Sequence, residues 1–439
     1  MGEEKAFVFD PRVFISKPYL RCPKCHKAEA FGTNWISGNG FTRRCKECFF
    51  IEGYKLPKLN KTVIYLDQFV ISLMMKAINE KLGKTKTTPS FWLALFEKID
   101  RLLKLQLIIC PDSTFHQDES APYQFDAHRR MYEHLSNGSS FYNPGTIRRF
   151  QIADYFRQMI RGVERPASKL ERNHVIRGHY NDWQERIRLS VNFNIKAEEL
   201  EQLKTTKAKI NQALAQLFDA WKKEKDKKYK DWFIEEVMSY GQAIVRQHFD
   251  NLSKIYLVSI GKLPATAEEY FNLMMSDANT IIYSLQRYLP ETKDPNETKE
   301  NLKKVIDFLL SEKMADIPSI RLTAQLWSAL TDQFAHGGRE NNPGDGIAND
   351  ISMVSTILPY CDAMFIDREM HGLLKHTEVA KDVEKKYKTK IYSTANKQEF
   401  MEHLNSIESA ASKAHLDKVK EVYGEDWPKP FTDMYDYER

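Results

Sequence analysis

The chain has 439 residues, of which 42% are hydrophobic, and carries 65 basic and 60 acidic side chains for a formal net charge of +5. This length predicts two or three domains, or one domain with a large insertion. The small positive charge gives only weak support for a polyanionic partner. No run of about 18 apolar residues is present, which argues against a membrane span, and the first residues lack the pattern of a secretory signal. We therefore expect a cytoplasmic protein.

Four of the six cysteines lie in two close pairs near the N-terminus, Cys22 with Cys25 and Cys45 with Cys48. Structural zinc takes four soft ligands in a tetrahedron, and each CxxC turn supplies two thiolates. Residues 18–56, with glycines and aromatics between the two pairs, therefore look like a zinc ribbon that binds structural Zn²⁺. The alternative is a pair of disulfides in an oxidising compartment, against which the missing secretory signal argues.

The predicted ribbon is basic, which is typical of ribbons that contact nucleic acid. Its role stays open between a nucleic-acid contact, a protein-interaction module and a structural cap. The basic residues concerned are Lys24, Lys27, Arg43, Arg44 and Lys46.

The first half of the predicted core, residues 60–145, opens with a strand that ends in an acidic residue. Thr62–Leu66 is an apolar run with β-branched residues, and Asp67 follows it directly. Helices are predicted at 68–82 and 91–104, and a second buried strand at 107–110.

The second half of the predicted core, residues 326–415, repeats this pattern. Asp350 is expected to open a helix over 351–358, and Asp362 and Asp367 flank a short apolar strand. A last strand at 390–393 and a helix from 397 to 415 follow, before a tail at 416–439. Alternating strands and helices predict an α/β fold with three layers and a parallel sheet, whose strand ends form the usual ligand crevice.

The middle of the chain, residues 146–325, shows helical periodicity throughout and is predicted to be an all-α insertion. The lysine-rich run 222–230 within it reads either as a solvated turn or as a contact to a phosphate backbone. Six arginines between Arg148 and Arg172 could line a groove. Helices are predicted at 147–161, 197–223, 230–257, 267–289 and 300–312.

Four motifs together resemble the PIN-like nuclease superfamily. They are YLDQ with Asp67, CPDSTFHQDE with Glu119, NDISMVSTILPYCD with Asp350 and Asp362, and FIDREM with Asp367. The resemblance covers residues 60–135 and 340–415. It departs from the simplest pattern because the insertion splits the domain and because IDRE has no threonine before the aspartate.

The resemblance implies a divalent-metal nuclease, usually acting on RNA, whose acidic residues bind Mg²⁺ or Mn²⁺. On this pattern Asp67, Glu119, Asp350 and Asp367 form the catalytic ligand set, and Asp362 is a further ligand or a structural residue. Hard divalent ions prefer carboxylate oxygens, and they supply what phosphodiester hydrolysis requires. Helix capping is the alternative role for Asp67 and Asp350.

Four other residues are candidates for substrate binding. Gln68 and Ser113 follow strand ends, where a turn or cap is the alternative role. His336 and Arg339 lie in a glycine-rich loop that leads into Asp350 and could clamp a substrate, or the loop could be a plain connector. His116 could help to protonate the leaving group, but it is expected to face solvent.

The leading hypothesis is therefore a cytoplasmic endoribonuclease, with a toxin or defence role by analogy. The alternative is an inactive nucleic-acid-binding or scaffold protein with a PIN-like core. RNA is favoured over DNA, and no membrane partner is expected. A homodimer is common in the family, and a protein partner could bind the ribbon or the tail.

Overall fold

The computed structural model of the protein describes residues 10–81, 90–116, 125–185, 197–344 and 346–429. Within these ranges the strands form an antiparallel sheet of four strands, a parallel sheet of four and an antiparallel pair. In chain order the strands are β1 Ser16–Leu20, β2 Phe31–Ser37, β3 Gly40–Cys45, β4 Ile51–Lys55, β5 Thr62–Leu66, β6 Ile108–Ile109, β7 Ser140–Phe141, β8 Ile176–Arg177, β9 Ala363–Phe365 and β10 Lys390–Tyr392.

Helices account for most of the remaining described residues, and none of these helices is long and apolar enough to cross a membrane. Short 3₁₀ or π-helical turns occupy Pro11–Phe14, Glu312–Asp316, Leu358–Tyr360 and Val383–Tyr387. The α-helices are Gln68–Lys81, Ser90–Lys104, Phe125–Ser136, Pro144–Ile160, Arg172–Val175, Ala197–Trp221, Tyr229–Ser259, Ala267–Met274, Asp277–Gln286, Pro295–Leu309, Pro318–Ala335, Ile347–Ile357, Arg368–Leu374, Thr377–Asp382, Lys397–Ser409 and Lys413–Tyr423.

The parallel sheet has the strand order β10-β9-β5-β6, so β5 and β9 are its inner strands. Residues 63–66 of β5 and all three residues of β9 are buried. Adjacent residues of a strand point to opposite faces, so burial of all of them means that both faces are covered. The prediction of an α/β core around a parallel sheet is confirmed.

Aromatic side chains mark the two covered faces of this sheet. Phe365 of β9 contacts Phe69 and Phe400, which belong to the helices on one face. Tyr65 of β5 points to the other face, where its ring meets the edge of Phe141. The helices that follow β5 and β10 thus seal the same side of the sheet.

The helical region has its own hydrophobic core, and one helix belongs to both cores. In Pro318–Ala335, Ile320 and Ala324 pack in the helical core, while Leu326 and Phe334 pack in the α/β core. The boundary predicted between residues 325 and 326 falls inside this helix.

Two details of the insertion differ from the sequence-based expectation. The insertion is not wholly α-helical, because β8 lies within it and pairs with β7. The helix predicted at 267–289 is two helices, since the Ser276 side chain accepts a hydrogen bond from the Asn279 amide at 3.3 Å and caps a new helix there.

The N-terminal sheet packs against the helix Lys413–Tyr423, which continues past the boundary predicted at residue 415. Phe41 and Trp183 share a buried cluster with Val419 and Val422 of that helix. The Thr33 hydroxyl donates to the Val422 carbonyl at 2.9 Å. The first sheet and a late helix thus form one packed unit.

Arg43 of β3 is a buried cation at this junction, with only 1% of its surface exposed. Its guanidinium donates to the Pro18 carbonyl at 2.8 Å and to the Glu421 carbonyl at 2.6 Å. These bonds satisfy a carbonyl near the C-terminal end of the helix Lys413–Tyr423, which the helix itself leaves unpaired. Arg43 is therefore not one of the phosphate contacts that the basic ribbon suggested.

The variant Arg43→Met should destabilise the junction by roughly 2–4 kcal/mol, because it removes two charge-assisted hydrogen bonds and leaves buried carbonyls unpaired. Urea unfolding, followed together with hydrogen exchange of residues 413–423, measures the effect. Its neighbour Arg44 points to the opposite side of the strand, so Arg44→Met should change stability by no more than about 0.5 kcal/mol. Equal losses in the two variants would contradict the proposed role of Arg43.

Candidate metal centres

The four cysteines of the N-terminal sheet form one cluster, in which all four sulfurs lie within 4.8 Å of one another. The Sγ atoms of Cys22 and Cys48 are 3.6 Å apart, and those of Cys25 and Cys45 are 3.7 Å apart. Four sulfurs at about 2.3 Å from a tetrahedral zinc are separated by about 3.8 Å. The cluster therefore has the size of a Cys₄ metal site.

Backbone amides support the thiolate form of this cluster. The Cys25 amide donates to the Cys22 sulfur at 3.5 Å, and the Cys48 amide makes the same contact with Cys45 at 3.5 Å. All four cysteines are free, so the alternative of two disulfides does not hold for this structure. The predicted Cys₄ cluster is confirmed as a group that could bind zinc.

A second cluster of ligand atoms lies at the C-terminal edge of the parallel sheet. Asp67 directly follows β5, Asp367 follows the end of β9, and Asp350 lies on the helix Ile347–Ile357. One carboxylate oxygen from each of the three lies within 4.8 Å of the other two. None of the three residues is fully exposed.

Main-chain hydrogen bonds fix the two strand-end aspartates. The Asp67 amide donates to the Phe365 carbonyl at 2.9 Å, which continues the pairing of β5 with β9. The Asp367 carboxylate caps the helix Arg368–Leu374 by accepting from the Glu369 amide at 2.6 Å and the Met370 amide at 2.9 Å. One oxygen of Asp367 makes both of these bonds.

Asp350 lies one turn inside its helix rather than at its start, because the helix begins at Ile347. A Cβ atom placed on Gly346 would lie 3.4 Å from an oxygen of Asp350. A side chain at position 346 would therefore contact the carboxylate. A negative side chain in the first turn is also favoured by the helix dipole.

The electrostatics of the acidic cluster favour a bound cation. Burial raises the pKa of Asp367, and the negative charge of Glu369 adds to the rise, while the two amides that bond it oppose it. Three carboxylates this close repel one another, and a bound cation relieves the repulsion. Oxygen-only ligand sets suit hard divalent ions such as Mg²⁺ or Mn²⁺.

Asp362 is not brought to this cluster, which corrects its assignment as a further metal ligand. It precedes β9 whereas Asp367 follows it, so the two lie at opposite ends of the strand, about 16 Å apart along the chain. Its carboxylate accepts from the Val63 amide at 2.8 Å and from Arg172 at 2.7 Å. Asp362 therefore ties β9 to β5 and to the helical insertion.

Ser113 and His116 are buried and bond to residues at the end of β5, which corrects both expectations. The Ser113 hydroxyl is bonded to the Tyr65 hydroxyl at 3.1 Å, and the Ser113 amide donates to Nδ1 of His116 at 3.2 Å. Nε2 of His116 then carries the proton and donates to the Leu66 carbonyl at 2.8 Å. Burial lowers the pKa of His116 to about 4, so it is neutral.

Arg339 is engaged within the protein rather than extended towards a substrate. Its guanidinium pairs with Glu369, donates to the Gln333 side chain at 3.1 Å and to the Asn341 carbonyl at 3.0 Å. Glu369 also accepts from the Gly344 amide at 3.4 Å. The loop before Asp350 is thereby attached to the residue two positions after Asp367.

His336 is engaged within the protein by a different turn. Its ring bonds the Asp332 carboxylate at 2.9 Å and the Lys225 carbonyl at 3.0 Å, and the Asp332 bond raises the pKa of His336. Lys225 in turn donates to the Ala335 carbonyl. The lysine-rich run 222–230 thus includes a turn that caps the helix Pro318–Ala335.

At least two of the six arginines predicted to line a groove are paired with acidic residues of the protein. Arg172 binds Asp362, and Arg157 pairs with Asp154 within its own helix.

Glu119 lies outside the described residues, and Gln68 begins the helix after Asp67. The sequence analysis does not single out Glu369, which pairs with Arg339 and accepts from the Gly344 amide. Its position in FIDREM, two residues after Asp367, indicates that it lies near the acidic cluster.

The variant Asp350→Asn should weaken Mn²⁺ binding by at least about tenfold, because a neutral amide replaces one of three clustered carboxylates. Titration calorimetry of the folded variants measures this affinity. Asp362→Asn is the matched control, since it removes the same charge at the other end of β9 and should leave Mn²⁺ affinity unchanged. A similar weakening in both variants would show that the metal does not bind at the cluster.

Comparisons of the chain with models of protein families, with curated proteins and with solved structures find no match. The similarity to PIN-like nucleases therefore rests on the short sequence motifs. The structure agrees with it at the coarser level of an α/β core with a parallel sheet and an acidic cluster. A function has to be inferred from the chemistry of the two clusters.

Proposed function

We propose that the protein is a divalent-metal-dependent nuclease with a PIN-like core, and specifically an endoribonuclease. The observation that supports the proposal is the meeting of Asp67, Asp350 and Asp367 within 4.8 Å at the C-terminal edge of the parallel sheet. That edge is where α/β proteins bind their ligands. On the family pattern, Glu119 completes the ligand set.

The metal ion in this proposal is Mg²⁺ or Mn²⁺, held by the three aspartates. When bound, such an ion lowers the pKa of water and offsets charge on a phosphodiester. The protein holds the carboxylates in place through the strand ends and the helix Ile347–Ile357. Without a cation, the cluster would repel a phosphate, so the proposed activity depends on metal.

Two polar residues next to the cluster are suited to contact the substrate. Gln68 adjoins Asp67, and the exposed Arg368 adjoins Asp367. Nε of Arg368 donates to the Thr394 hydroxyl at 2.7 Å, which holds a cation beside the acidic site. We assign Arg368 to the phosphate and retain Gln68 as a substrate-binding candidate. The preference for RNA rests on the resemblance.

In the same proposal the four cysteines bind structural Zn²⁺, which makes the N-terminal sheet a zinc ribbon. The separations of their sulfurs and the amide bonds to them support zinc over an oxygen-seeking ion. The ribbon would then stabilise the fold rather than take part in hydrolysis.

One observation favours a second candidate, an inactive nucleic-acid-binding or scaffold protein. Ile366, directly before Asp367, is fully buried, and its amide donates to the Tyr392 carbonyl at 2.9 Å. No hydroxyl is present at this position to orient a metal shell, whereas many PIN-like relatives have threonine there.

The purified protein should cleave labelled single-stranded RNA when Mn²⁺ or Mg²⁺ is added and should lose this activity without it. The double variant Asp67→Asn/Asp367→Asn should reduce the rate at least about 100-fold, because two of the three metal-binding carboxylates are gone. Gel analysis of end-labelled RNA, transfer RNA and DNA measures both the rate and the substrate preference.

Asp362→Asn serves as the control and should retain the wild-type rate. If the folded, zinc-loaded wild type binds Mn²⁺ but cleaves none of these substrates, the nuclease proposal fails and the scaffold alternative is favoured. If the double variant cleaves as fast as the wild type, the activity does not belong to the acidic cluster.

A further inference from the structure

The outward face of the N-terminal sheet carries an exposed tryptophan. Trp35 of β2 pairs with Thr42 of β3, which pairs with Gly53 of β4, so the three form one row across the sheet. Paired residues of neighbouring strands share a face. Trp35 is 59% exposed, and Gly53 is exposed as well.

The opposite face of the same sheet is the one that packs on the protein. Ile36 and Phe41, one position along from Trp35 and Thr42, are buried in the cluster with the helix Lys413–Tyr423. The exposure of Trp35 is therefore not a gap in the packing of the core. Tryptophan is enriched at binding interfaces relative to the rest of a protein surface.

A shallow groove with a volume of about 340 Å³ lies beside Trp35. Gly53 and Lys55 are among the residues that line it. A Cβ atom on Gly53 would meet nothing within 4 Å, so the floor of the groove is open. The groove thus combines an aromatic side chain, an open glycine and a cation.

Further cations and apolar side chains extend this face. Arg44 of β3 lies over the Phe49 ring at 5.0 Å, and Phe49 and Ile51 are 42% and 49% exposed. Residues 16–56 contain eight Lys and Arg against three Glu, an excess of five that equals the +5 of the whole chain. With the cysteines set aside, residues 16–56 thus account for the net positive charge of the chain, and the charges of the remaining residues sum to zero.

We propose that this face, formed by Trp35, Arg44, Phe49, Gly53 and Lys55, binds single-stranded RNA. Bases stack on exposed aromatic rings while lysine and arginine contact the phosphates, and this combination is typical of proteins that bind single strands. A duplex would not suit the face, because its bases are paired and stacked inside. The inference rests on the proposed function, in which RNA is the expected substrate. It assigns to the N-terminal sheet the role of binding the single-stranded RNA.

The test measures fluorescence anisotropy of a labelled, unstructured RNA bound to the Asp67→Asn protein, without added Mn²⁺ or Mg²⁺, so that cleavage does not interfere. Trp35→Ala should raise the Kd roughly tenfold, the effect of losing one stacked base. Gly53→Glu should raise it similarly, because the new side chain fills the floor with negative charge. Arg44→Met should raise the Kd and lower the salt dependence by about one phosphate contact.

Phe271→Ala is the matched control, because Phe271 is 60% exposed on a helix of the insertion, and it should bind RNA as the parent does. Zinc content and thermal unfolding verify that each variant is folded. Single-stranded DNA and duplex RNA of the same sequence are the comparison ligands. The inference requires single-stranded RNA to bind most tightly and both Trp35→Ala and Gly53→Glu to weaken it.

Undiminished binding in Trp35→Ala and Gly53→Glu would overturn the inference, as would tighter binding of the duplex. Absence of RNA binding by the parent would overturn it too and would favour a protein partner for this face. The nuclease proposal is judged separately: Trp35-dependent binding without cleavage in the wild type would leave the inference standing while the nuclease proposal falls.

Discussion

The pairing of β5 with β9 is the interaction on which the rest of the structure depends. It joins residues 62–66 to residues 363–365, with a parallel register that aligns Leu66 with Phe365. The ladder continues at both ends, through the Asp362 amide to Val63 at 2.8 Å and the Asp67 amide to Phe365 at 2.9 Å. Because both strands run the same way, the residues that follow them meet at one edge.

The two ends of β9 carry the same residue type in different surroundings. At the start of the strand, Asp362 has a cation and an amide as partners, so its charge is neutralised within the fold. At the end, Asp367 uses one oxygen on two amides and shares its surroundings with Asp67 and Asp350. An acidic residue with an arginine partner stabilises a fold, whereas acidic residues gathered together attract a cation.

Local patterns were enough to predict several parts of this protein. An apolar strand followed by aspartate predicts Asp67 and Asp367, and the CxxC spacing of the cysteines predicts the Cys₄ cluster, because each of these signals is a short local motif. The direction of β9 could also have separated Asp362 from the cluster, since a residue before a strand lies at the opposite end from one after it.

Other features depend on contacts that no local pattern reveals. Strand alternation predicts that Arg43 and Arg44 point to opposite faces, but which of them is buried depends on the helix Lys413–Tyr423, nearly the whole chain away. His116 is buried because Tyr65 and Tyr132 stack on either side of its ring, at 4.9 Å each. Arg339 is bound to Glu369, thirty positions later. Long-range packing decides such cases, and periodicity carries no information about it.

The separation of β5 from β9 has a consequence during synthesis. A ribosome adds about 5–20 residues per second, so β5 leaves it roughly 15–60 s before its central partner exists. In that interval the buried side chains of β5 can be covered only by residues that precede β9, including the short strand β6. The insertion has a hydrophobic core largely of its own and can begin to fold in the meantime. The acidic cluster therefore forms late, because Asp350 and Asp367 are synthesised long after Asp67.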